Sequence, residues 1–479
     1  MYKIEQFKQF NPQLFKGVHL SVIRELGRQV GVKSPTSKKK DQLVKELIAI
    51  QNGVLEPAHP SKRGAPPKIQ IDISEFLIDN PRENGSYTNI PPINKVELND
   101  SGERKPETFV MEGVLEQNAT GYGFLRANYY DNSKNDVFVS QENIKKYRLR
   151  RGDKVKVVAK ASKDYNVAPA LQEVLSINDL EPKLFLKRTN FDDLTPYYPT
   201  RRIKLENDKN GELALRCIDL FSPLGMGQRG LIVAPPKTGK TTLLKLIAQS
   251  IEKNHKDVKL IILLIDERPE EVTDIKRSVS GEVVYSTFDE SAEHHIRVAE
   301  TVINRAKRLV EVGSDVVILM DSITRLARAY NTTVESSGKT LSGGLDPSAM
   351  AGPKRFFGSA RNIENGGSLT ILSTALIETG SRMDDVIFEE FKGTGNMEIH
   401  LSRALSERRV FPAIDLLKSG TRKEELLLTE KELDCAYKLR KVLSERQDAT
   451  DNLLEMLKKT KTNAELCEKV DAWLQIYRK

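Results

Sequence analysis

Cysteine is scarce in this sequence, and its placement excludes several classes of site. The 479 residues include three cysteines, Cys217, Cys435 and Cys467, which lie far apart in the chain and form no CxxC pair. We therefore expect neither a structural zinc site nor a disulfide framework, and a reducing cytoplasm is the expected compartment. The histidines, including His294 and His295, lack a ligand pattern such as HExxH and are interpreted as helix-surface residues.

Long apolar runs are also missing. The longest aliphatic stretch, 260–265, is far too short to span a bilayer. The N-terminal residues 1–16 have no long apolar core, so they are not expected to act as a secretory signal. We therefore predict a cytoplasmic protein with no membrane partner.

The overall composition is that of a soluble globular protein. Hydrophobic residues make up 39% and charged residues 30% of the chain, whose length suffices for about two to four domains. Lys and Arg (75) outnumber Asp and Glu (67), which gives a formal net charge of +8. This excess is compatible with a polyanionic partner and, equally, with a basic solvated surface.

The N-terminal part of the chain contains two segments of different character. Apolar residues at helical spacing, such as Leu20, Ile23 and Leu26, predict a small helical unit over 1–52. Pro, Asn, Gly and charged residues dominate 53–107, which we interpret as a flexible linker or insertion with little fixed structure.

Short strands with turn residues between them follow the linker. The stretches 110–116, 121–126, 136–139 and 153–158 alternate in polarity and predict a small β-barrel within 108–180.

Strands and helices then alternate. A connector, 181–224, leads to 225–424, in which four apolar runs are strand candidates, namely 231–233, 260–265, 316–320 and 369–372. This alternation is typical of a doubly wound α/β domain with a parallel sheet. The last segment, 425–479, is predicted to be a helical tail.

A phosphate-binding loop is predicted between a strand and a helix. Residues 234–241, APPKTGKT, match the pattern GxxxxGK[ST] except for Ala234 at the first glycine. In such a loop, backbone N–H groups cradle the phosphates, Lys240 reaches the β- and γ-phosphates, and the Thr241 hydroxyl ligates Mg²⁺. The alternative is a chance Gly-Lys-Thr at a helix start.

Two carboxylates follow apolar strands of the same domain. The run VVILMD at 316–321 fits the second nucleotide-binding motif, in which Asp321 holds the Mg²⁺ shell. Glu267 ends another apolar strand and is the candidate to orient or deprotonate the attacking water. The alternative for Glu267 is a surface acidic turn.

Aromatic residues lie along the strands of the predicted barrel. Period-2 geometry puts Tyr122 and Phe124 on one face with Arg126 alongside, an arrangement that can stack bases of a single strand. Phe138 on the next strand could extend this platform, and Asp136 could accept a hydrogen bond from a base amino group. For a lone pair of aromatics, rings that fill the barrel core are the favoured alternative.

Together these motifs resemble those of the bacterial transcription termination factor Rho family. The resemblance covers about 108–430 and, more loosely, the N-terminal unit. The matching stretches are 225–230 (GMGQRG), 235–242 (PPKTGKTT), 266–272 (DERPEEV), 321–328 (DSITRLAR), 353–358 (PKRFFG) and 389–398 (EEFKGTGNME).

The resemblance implies a fold and an activity. The implied fold is a small N-terminal helical unit, an OB or cold-shock-like RNA-binding barrel, and a RecA-like α/β P-loop ATPase domain with a helical C-terminal tail. The implied activity is that of a homohexameric, RNA-dependent ATPase and 5′-to-3′ translocase or helicase, with ATP and Mg²⁺ as cofactors. Its implied partners are single-stranded nascent RNA, RNA polymerase and elongation factors.

The resemblance also assigns residues of the nucleotide site by position. Arg268 matches an arginine that senses the nucleotide state, and Arg409 and Arg422 match residues offered to the neighbouring subunit's nucleotide. Without the resemblance, each arginine would be interpreted as a surface ion-pair partner. The remaining residues assigned to ATP are Gly225, Met226, Gly227, Gln228, Arg229, Gly230, Lys237, Thr238, Gly239, Lys240, Thr241 and Thr242.

Two RNA surfaces follow from the same resemblance. The primary surface comprises Gly121, Tyr122, Gly123, Phe124, Leu125, Arg126, Asp136, Val137, Phe138, Asp164 and Tyr165. The secondary surface lies on two loops, 334–346 and 378–382, and comprises Lys339, Thr340, Leu341, Ser342, Gly343, Gly344 and Arg382. Plain flexible loops are the alternative for this second group.

The chain departs from the family pattern at several places. Phe138 stands where a tyrosine is usual, and Arg382 stands where a lysine is common. The segment around Asp164 and Tyr165 aligns poorly, and the insertion 53–107 has no counterpart in the shortest family members.

Three hypotheses compete at this point. The first is a Rho-type RNA translocase and terminator. The second is a RecA-like or rotary ATP-synthase-like subunit, whose hydrolysis would not depend on RNA. The third is an RNA-binding protein without motor activity, whose nucleotide site is vestigial.

Overall fold

The computed structural model describes two units, which are considered separately. The described residues are 8–10, 20, 23–24, 26–27, 32, 35, 38–51, 77–79, 108–127, 133, 136–162, 167–207, 212–445 and 449–477. The first unit lies within 1–98 and the second within 99–479. No described helix is long and apolar enough to cross a membrane.

The first unit contains a strand pair as well as helix. Strand β1 (Lys8–Phe10) pairs antiparallel with β2 (Leu77–Asp79), and helix α1 spans Lys40–Gln51. We predicted a purely helical unit over 1–52 and a linker without fixed structure over 53–107. Both predictions are wrong at these two strands. The physical reason is that Leu77 and Ile78 form a short apolar run whose backbone can complete a ladder with β1. Most of 53–107 lies outside the described residues.

The RNA-binding candidate is a closed five-stranded barrel with the order β3-β4-β5-β7-β6. Its elements are β3 (Thr108–Gln117), β4 (Gly123–Arg126), β5 (Val137–Val139), α2 (Gln141–Tyr147), β6 (Lys154–Lys160) and β7 (Ala170–Ile177). Strand β6 alternates buried and exposed side chains along its length, as expected of a strand with one core face. The fifth strand, β7, closes the barrel and was not predicted.

The connector and the first part of the α/β domain lead into the main sheet. Two 3₁₀ turns, Pro182–Lys187 and Phe191–Asp193, follow the barrel. The next elements are β8 (Pro196–Tyr197), β9 (Arg202–Ile203), α3 (Leu213–Phe221), β10 (Leu224–Gly225), β11 (Arg229–Ala234), α4 (Lys240–Asn254), β12 (Lys259–Glu267), α5 (Pro269–Ser278), β13 (Glu282–Thr287), α6 (Ala292–Val310) and β14 (Asp315–Asp321).

The second part of the domain completes the sheet and adds the helical tail. Its elements are α7 (Ile323–Thr333), α8 (Ala351–Gly358), β15 (Arg361–Ile363), β16 (Ser368–Leu376), α9 (Arg382–Lys392), β17 (Met397–Leu401), α10 (Arg403–Glu407), β18 (Ile414–Thr421), α11 (Glu430–Glu445), α12 (Ala449–Lys459) and α13 (Asn463–Tyr477). Short 3₁₀ turns lie at Ser342–Gly344, Pro347–Met350 and Glu424–Leu426.

The nine-stranded sheet has the order β13-β12-β14-β16-β11-β17-β18, with β15 and β8 attached beside β16. The strands from β13 to β17 in this order are parallel, and β18 is antiparallel. The four predicted strands correspond to β11, β12, β14 and β16, and the expected α/β fold is confirmed. Because the strands are parallel, their carboxyl ends meet at one edge of the sheet, where ligands bind in such folds.

A buried ion cluster joins the barrel to the α/β domain. Arg188 of the connector lies 2.5 Å from Asp153 of the barrel and 3.6 Å from Glu311 beyond α6, and both carboxylates are fully buried. Gly152 adopts φ +92°, and a side chain there would lie 2.5 Å from the backbone N of Arg305. The barrel loop therefore packs directly on α6 without room for a side chain.

Two cysteines that are distant in the chain lie on neighbouring helices of the tail. Cys435 belongs to α11 and Cys467 to α13, and all three cysteines are free thiols. Helices α11 and α13 pack together, and this packing brings two residues that are distant in the chain into contact.

A buried guanidinium fastens the helical tail to α3. Arg216 is 1% exposed and donates to the Leu457 carbonyl at 2.7 Å, the Thr460 carbonyl at 2.6 Å and the Asn463 amide oxygen at 3.2 Å. Glu206 lies 3.4 Å from the same group. Burial lowers the pKa of Arg216, and the Glu206 carboxylate opposes that effect. The end of α12 and the start of α13 thus depend on one side chain.

We predict that Arg216→Met loosens the tail. Removal of the cation leaves buried carbonyls and Glu206 uncompensated, which should lower the free energy of unfolding by roughly 3–5 kcal/mol. Trp473, the single tryptophan, lies on α13, so its fluorescence during urea unfolding reports the tail.

The matched control is Arg201→Met. Arg201 is half exposed and pairs with Asp315 at 2.6 Å, so its loss should cost less than about 1 kcal/mol. Equal unfolding midpoints for the two variants would contradict the proposed role of Arg216.

Candidate functional site

The predicted phosphate loop joins β11 to α4 and adopts the backbone that such a loop requires. Lys237 has φ +65° and Gly239 has φ +88°, so successive backbone N–H groups turn toward one side. The Thr238 hydroxyl donates to the Pro235 carbonyl at 2.7 Å and closes the turn. Nothing lies near a side chain built at Gly239, so the glycine is required by its φ and not by space.

Lys240 meets the predicted carboxylates at the carboxyl edge of the sheet. Its Nζ lies 2.6 Å from Oδ2 of Asp321 and 3.5 Å from Oε2 of Glu267. Burial by itself would lower the pKa of Lys240, but Asp321 and then Glu267 outweigh it and raise that pKa. Thr374 of β16 donates to the other Asp321 oxygen at 2.7 Å. The ammonium is therefore held charged at the end of the phosphate loop.

Glu267 is buried, which contradicts the alternative of a surface acidic turn. Its residue exposure is 2%, and burial raises its pKa; Lys240 and Arg325 act in the opposite direction. Nη2 of Arg325 lies 3.7 Å from Glu267, and Nη1 lies 3.0 Å from the Asp266 carboxylate. A carboxylate with a raised pKa between two cations is suited to accept a proton near neutral pH.

Sequence reasoning missed three residues of this pocket. The Thr241 hydroxyl donates to Glu271 at 3.2 Å, Arg325 contacts Glu267, and Thr374 orients Asp321. Glu271 and Arg325 lie inside stretches that match the family, so position within a motif could have found them. Thr374 lies in mid-strand and carries no such signal.

Two cavities adjoin the phosphate loop. An apolar cavity of about 550 Å³ is lined by Thr242, Leu246 and Phe411, among others, and Phe411 remains 51% exposed. A second cavity of about 670 Å³ is lined mainly by polar and charged residues, among them Lys237 and Thr238. The apolar cavity was not predicted, because its residues come from α4 and the approach to β18, which are distant in sequence.

The three predicted arginines lie in different places. Arg268 is exposed at the start of α5, next to Glu267. Arg409 is exposed with φ +59° and lines the polar cavity beside this chain's own phosphate loop. Arg422 is exposed at the end of β18, where its backbone N–H bonds the Asn396 carbonyl, and it lines neither cavity.

The segment Gly225 to Gly230 does not reach this chain's own nucleotide loop, and its assignment to ATP stays a prediction. It lies at the start of β11, about five strand residues or roughly 16 Å from Pro235. Gly227 N–H donates to Thr370 Oγ1 at 2.7 Å, and Arg229 Nε donates to the Thr394 carbonyl at 2.9 Å. These residues, with Met226 and Gln228, instead hold the opposite edge of the sheet together.

The aromatic residues of the barrel form one outward cluster. The Tyr122 ring centroid lies 6.1 Å from Phe124 and 5.6 Å from Phe138, and Phe124 lies 5.7 Å from Phe138. The core of the barrel is filled by other side chains, including Leu125 and Val137, which are fully buried. The rings therefore do not fill the core, and the prediction of a shared face is confirmed.

Polar contacts hold Arg126 beside this cluster. Its guanidinium lies 2.6 Å from Glu116 and 2.6 Å from Asp136, and 5.3 Å from the Phe124 ring centroid. Asp136 is 5% exposed and also accepts from Ser133 Oγ at 2.9 Å. In this arrangement Asp136 positions Arg126, so a direct bond from Asp136 to a base would require that pairing to be released.

The two glycines of the platform have different explanations, close backbone approach for Gly123 and a positive φ for Gly121. A side chain at Gly123 would lie 2.6 Å from the Glu116 carbonyl, and Gly121 has φ +94° beside Gln141. The third predicted segment, Asp164 and Tyr165, lies outside the described residues.

The two predicted pore loops lie against each other. A side chain at Gly343 would lie 2.6 Å from the backbone N of Met383, directly after Arg382. Gly343 and Gly344 have φ +78° and +81°, and Lys339, Thr340, Ser342 and Arg382 are exposed while Leu341 is half-buried. Asp384 is buried behind these loops and pairs with Arg328 of α7 at 2.6 Å. The two packed loops therefore present their cations, Lys339 and Arg382, on one surface.

The adjacent histidines differ from expectation. His295 is 6% exposed, and Ser286 Oγ lies 2.7 Å from its Nδ1 and 2.6 Å from Nδ1 of His294. Their interpretation as helix-surface residues is wrong for His295, because α6 turns that side toward β13. Burial lowers the pKa of His295.

Comparison with protein families agrees with this division of the chain. Residues 111–183 match the family described as "Rho termination factor, RNA-binding domain", and residues 214–421 match "ATP synthase alpha/beta family, nucleotide-binding domain".

Curated relatives are similar over most of the chain. A transcription termination factor Rho of Bacillus subtilis is 57% identical over 356 residues, covering 74% of this chain and 83% of that protein. One of Aquifex aeolicus is 54% identical over 475 residues, covering 98% and 97%. Among solved structures, a prototypical ATPase from a type III secretion system of pathogenic bacteria is 24% identical with a TM-score of 0.50, covering 65% of this chain and 93% of that chain. That last similarity concerns the fold alone.

We predict that removal of an exposed ring leaves the barrel folded. Tyr122→Ala removes edge contacts with two rings and should cost at most about 1.5 kcal/mol. Leu125→Ala empties a fully buried site and should cost roughly 2–5 kcal/mol. Hydrogen exchange of the β3 and β4 amides measures the loss of stability in both variants. Equal losses of protection would contradict the prediction and indicate that the rings fill the core.

Proposed function

The chain belongs to the Rho family of transcription termination factors, and we propose that it is an RNA-dependent ATPase that terminates transcription. In this proposal it binds nascent RNA, moves along it 5′-to-3′ as a translocase or helicase, and releases RNA polymerase. The observation that carries the proposal is the presence, in one unit, of an outward aromatic platform and a pocket with all the groups needed for phosphoanhydride hydrolysis.

Hydrolysis is assigned to Lys240, Glu267 and the phosphate loop. The loop N–H groups bind the phosphates, and Lys240 exchanges its contact with Asp321 for the β- and γ-phosphates when ATP enters. Glu267 accepts a proton from the attacking water, and Arg325 keeps that carboxylate in place. The 3.5 Å separation of Lys240 and Glu267 supports a reaction centre between them.

The donor set suits Mg²⁺ bound with the nucleotide. The Thr241 hydroxyl and the Asp321 carboxylate are hard oxygen donors at the edge of the loop. The described residues contain no cluster of three His, Cys, Asp or Glu side chains, which fits a cation held mainly by the nucleotide's own phosphates. Bound there, Mg²⁺ would neutralise charge on the phosphates.

The nucleotide base is assigned to the apolar cavity. Phe411 offers an exposed ring beside Thr242 and Leu246, and the cavity begins where the loop enters α4. A planar base that stacks on Phe411 would place its phosphates at the N-terminus of α4.

Assembly into a homohexamer would complete the site. Arg422 is exposed and lines neither cavity of its own chain, which supports a role toward a neighbouring subunit's nucleotide. Arg409 lies beside its own loop, so we assign it to the boundary between adjacent sites. An arginine supplied in trans raises hydrolysis by about 10³–10⁵-fold in related systems. We further propose that this assembly works in the cytoplasm with RNA polymerase and elongation factors.

RNA would be bound in two places. Bases stack on Tyr122, Phe124 and Phe138, with Arg126 alongside. Lys339 and Arg382 contact the phosphates of the strand that passes the two loops, and α7 joins those loops to the nucleotide pocket. Such a connection would let hydrolysis move the strand.

We predict that RNA stimulates ATP hydrolysis and that the platform is needed for loading. In Tyr122→Ala/Phe124→Ala, loss of stacking should weaken binding of pyrimidine-rich single-stranded RNA by at least about tenfold. ATP binding should not change, because the platform does not contact the phosphate loop. Filter binding and phosphate release with and without RNA measure the two properties.

Tyr437→Ala is the control, since Tyr437 is 53% exposed on α11, away from the barrel. Hydrolysis that does not respond to RNA would instead favour a RecA-like or ATP-synthase-like subunit. An absence of hydrolysis would favour a vestigial nucleotide site.

The pH dependence of hydrolysis should report Glu267. A general base acts when deprotonated, and burial raises the pKa of Glu267, so the rate should fall with decreasing pH at values above the ordinary glutamate range. Arg325 lowers this pKa, so Arg325→Met should move the acidic limb to higher pH.

Steady-state hydrolysis at saturating ATP and RNA gives the profile. Arg277→Met changes an exposed arginine of the neighbouring helix and should leave the acidic limb in place. Glu267→Gln should lower the rate by about 10²–10⁴-fold and abolish that limb. If the acidic limb of Arg325→Met lies at the same pH as that of the wild type, Arg325 does not lower the pKa of the general base.

A further inference from the structure

Two cysteines of the helical tail meet across a helix pair. Cys435 lies on α11 and Cys467 on α13, and each thiol is the largest influence on the pKa of the other. Both residues belong to the apolar cluster that packs the tail against the sheet. The nucleotide and RNA sites described above use neither residue.

A second contact fixes the same helix register independently. One turn beyond Cys435, Lys438 Nζ lies 2.7 Å from Oδ1 of Asp471, which is one turn beyond Cys467. Two side-chain pairs one turn apart on both helices hold α11 and α13 side by side in parallel. The packing of these two helices therefore places Cys435 and Cys467 at facing positions, as an interhelical disulfide requires.

The two thiols differ in environment. Cys435 is 1% exposed, and its contact with Cys467, together with burial, raises its pKa. Cys467 is half-buried; its interaction with Cys435 lowers its pKa, burial and the Glu432 and Glu206 carboxylates oppose this, and the Arg202 guanidinium adds to the lowering. Arg202 is held there by Glu432 of α11 at 2.8 Å. Cys467 is therefore the more accessible thiol, which a dissolved oxidant reaches first, and Cys435 is its buried partner.

We propose that Cys435 and Cys467 form a peroxide-responsive dithiol that closes to an intramolecular disulfide and links α11 to α13. The Cys467 thiolate attacks one oxygen of the peroxide, the O–O bond breaks, and a sulfenic acid and water form after one proton is taken up. The Cys435 sulfur then attacks the Cys467 sulfur, a second water leaves, and the disulfide remains. Two thiols are oxidised and one hydrogen peroxide is reduced to two waters, and a thiol reductant reverses the change.

A disulfide between Cys435 and Cys467 would restrain α11, the helix that supports the loop of Arg422 at the edge of the sheet. Arg440 of α11 bonds the Phe221 carbonyl at 2.5 Å and Glu424 at 3.1 Å, and Glu424 follows Arg422 by two residues. A covalent tie between α11 and α13 therefore restrains the helix that supports this loop. Closure of the ring also restricts the unfolded tail, which should raise its stability.

The test uses the full chain treated with graded hydrogen peroxide, followed by alkylation of remaining thiols and peptide mapping with and without dithiothreitol. A linked peptide pair containing Cys435 and Cys467 within one chain is expected in the wild type and in Cys217→Ser. It should be absent in Cys435→Ser and Cys467→Ser. Cys217 is the matched control, because it is a fully buried thiol of the same core.

Trp473 fluorescence supplies a second readout that needs no variant. The thermal midpoint of the oxidised wild-type tail should rise by a few degrees over the reduced form and fall back after dithiothreitol. A linkage between chains, irreversible oxidation of Cys467 without linkage, thiols that stay unreacted, or an unchanged midpoint would each overturn the proposal.

Discussion

The contact between Lys240 and Asp321 is the constraint on which the rest of the active edge depends. The lysine follows β11 and the aspartate ends β14, and these strands are separated in the sheet by β16. The 2.6 Å contact exists because three parallel strands end at one edge and Thr374 of the middle strand holds the carboxylate. Any change in strand order would separate the phosphate loop from its carboxylates.

Helix α7 connects the contact between Lys240 and Asp321 to the two loops that we propose bind RNA. It begins directly after Asp321, carries Arg325 toward Glu267, and carries Arg328 one turn later toward Asp384 behind both loops. On another side of the domain, the buried cluster around Glu311 fixes the barrel against the end of α6. The aromatic platform and the hydrolysis pocket are thus parts of one packed unit, which is what coupling of RNA binding to hydrolysis requires.

Features that depend on local order could be predicted from the residues alone. Strand-loop-helix context identified the phosphate loop around Lys240, apolar runs located β11, β12, β14 and β16, and period-2 geometry put Tyr122 and Phe124 on one face. Each inference needs neighbours within about ten residues, where backbone periodicity leaves few alternatives. The resemblance to a family then supplied roles for residues such as Arg422, which local pattern could not assign.

Tertiary structure alone decided which distant residues meet. It placed Phe411 beside α4, Thr374 against Asp321, and Cys435 against Cys467, and it separated Gly225–Gly230 from the nucleotide loop at the far end of β11. It also decided that the rings face outward, because Leu125 and Val137 occupy the barrel core. These outcomes depend on strand order and helix packing, which are set by burial over the whole unit and leave no signature in any single stretch of sequence.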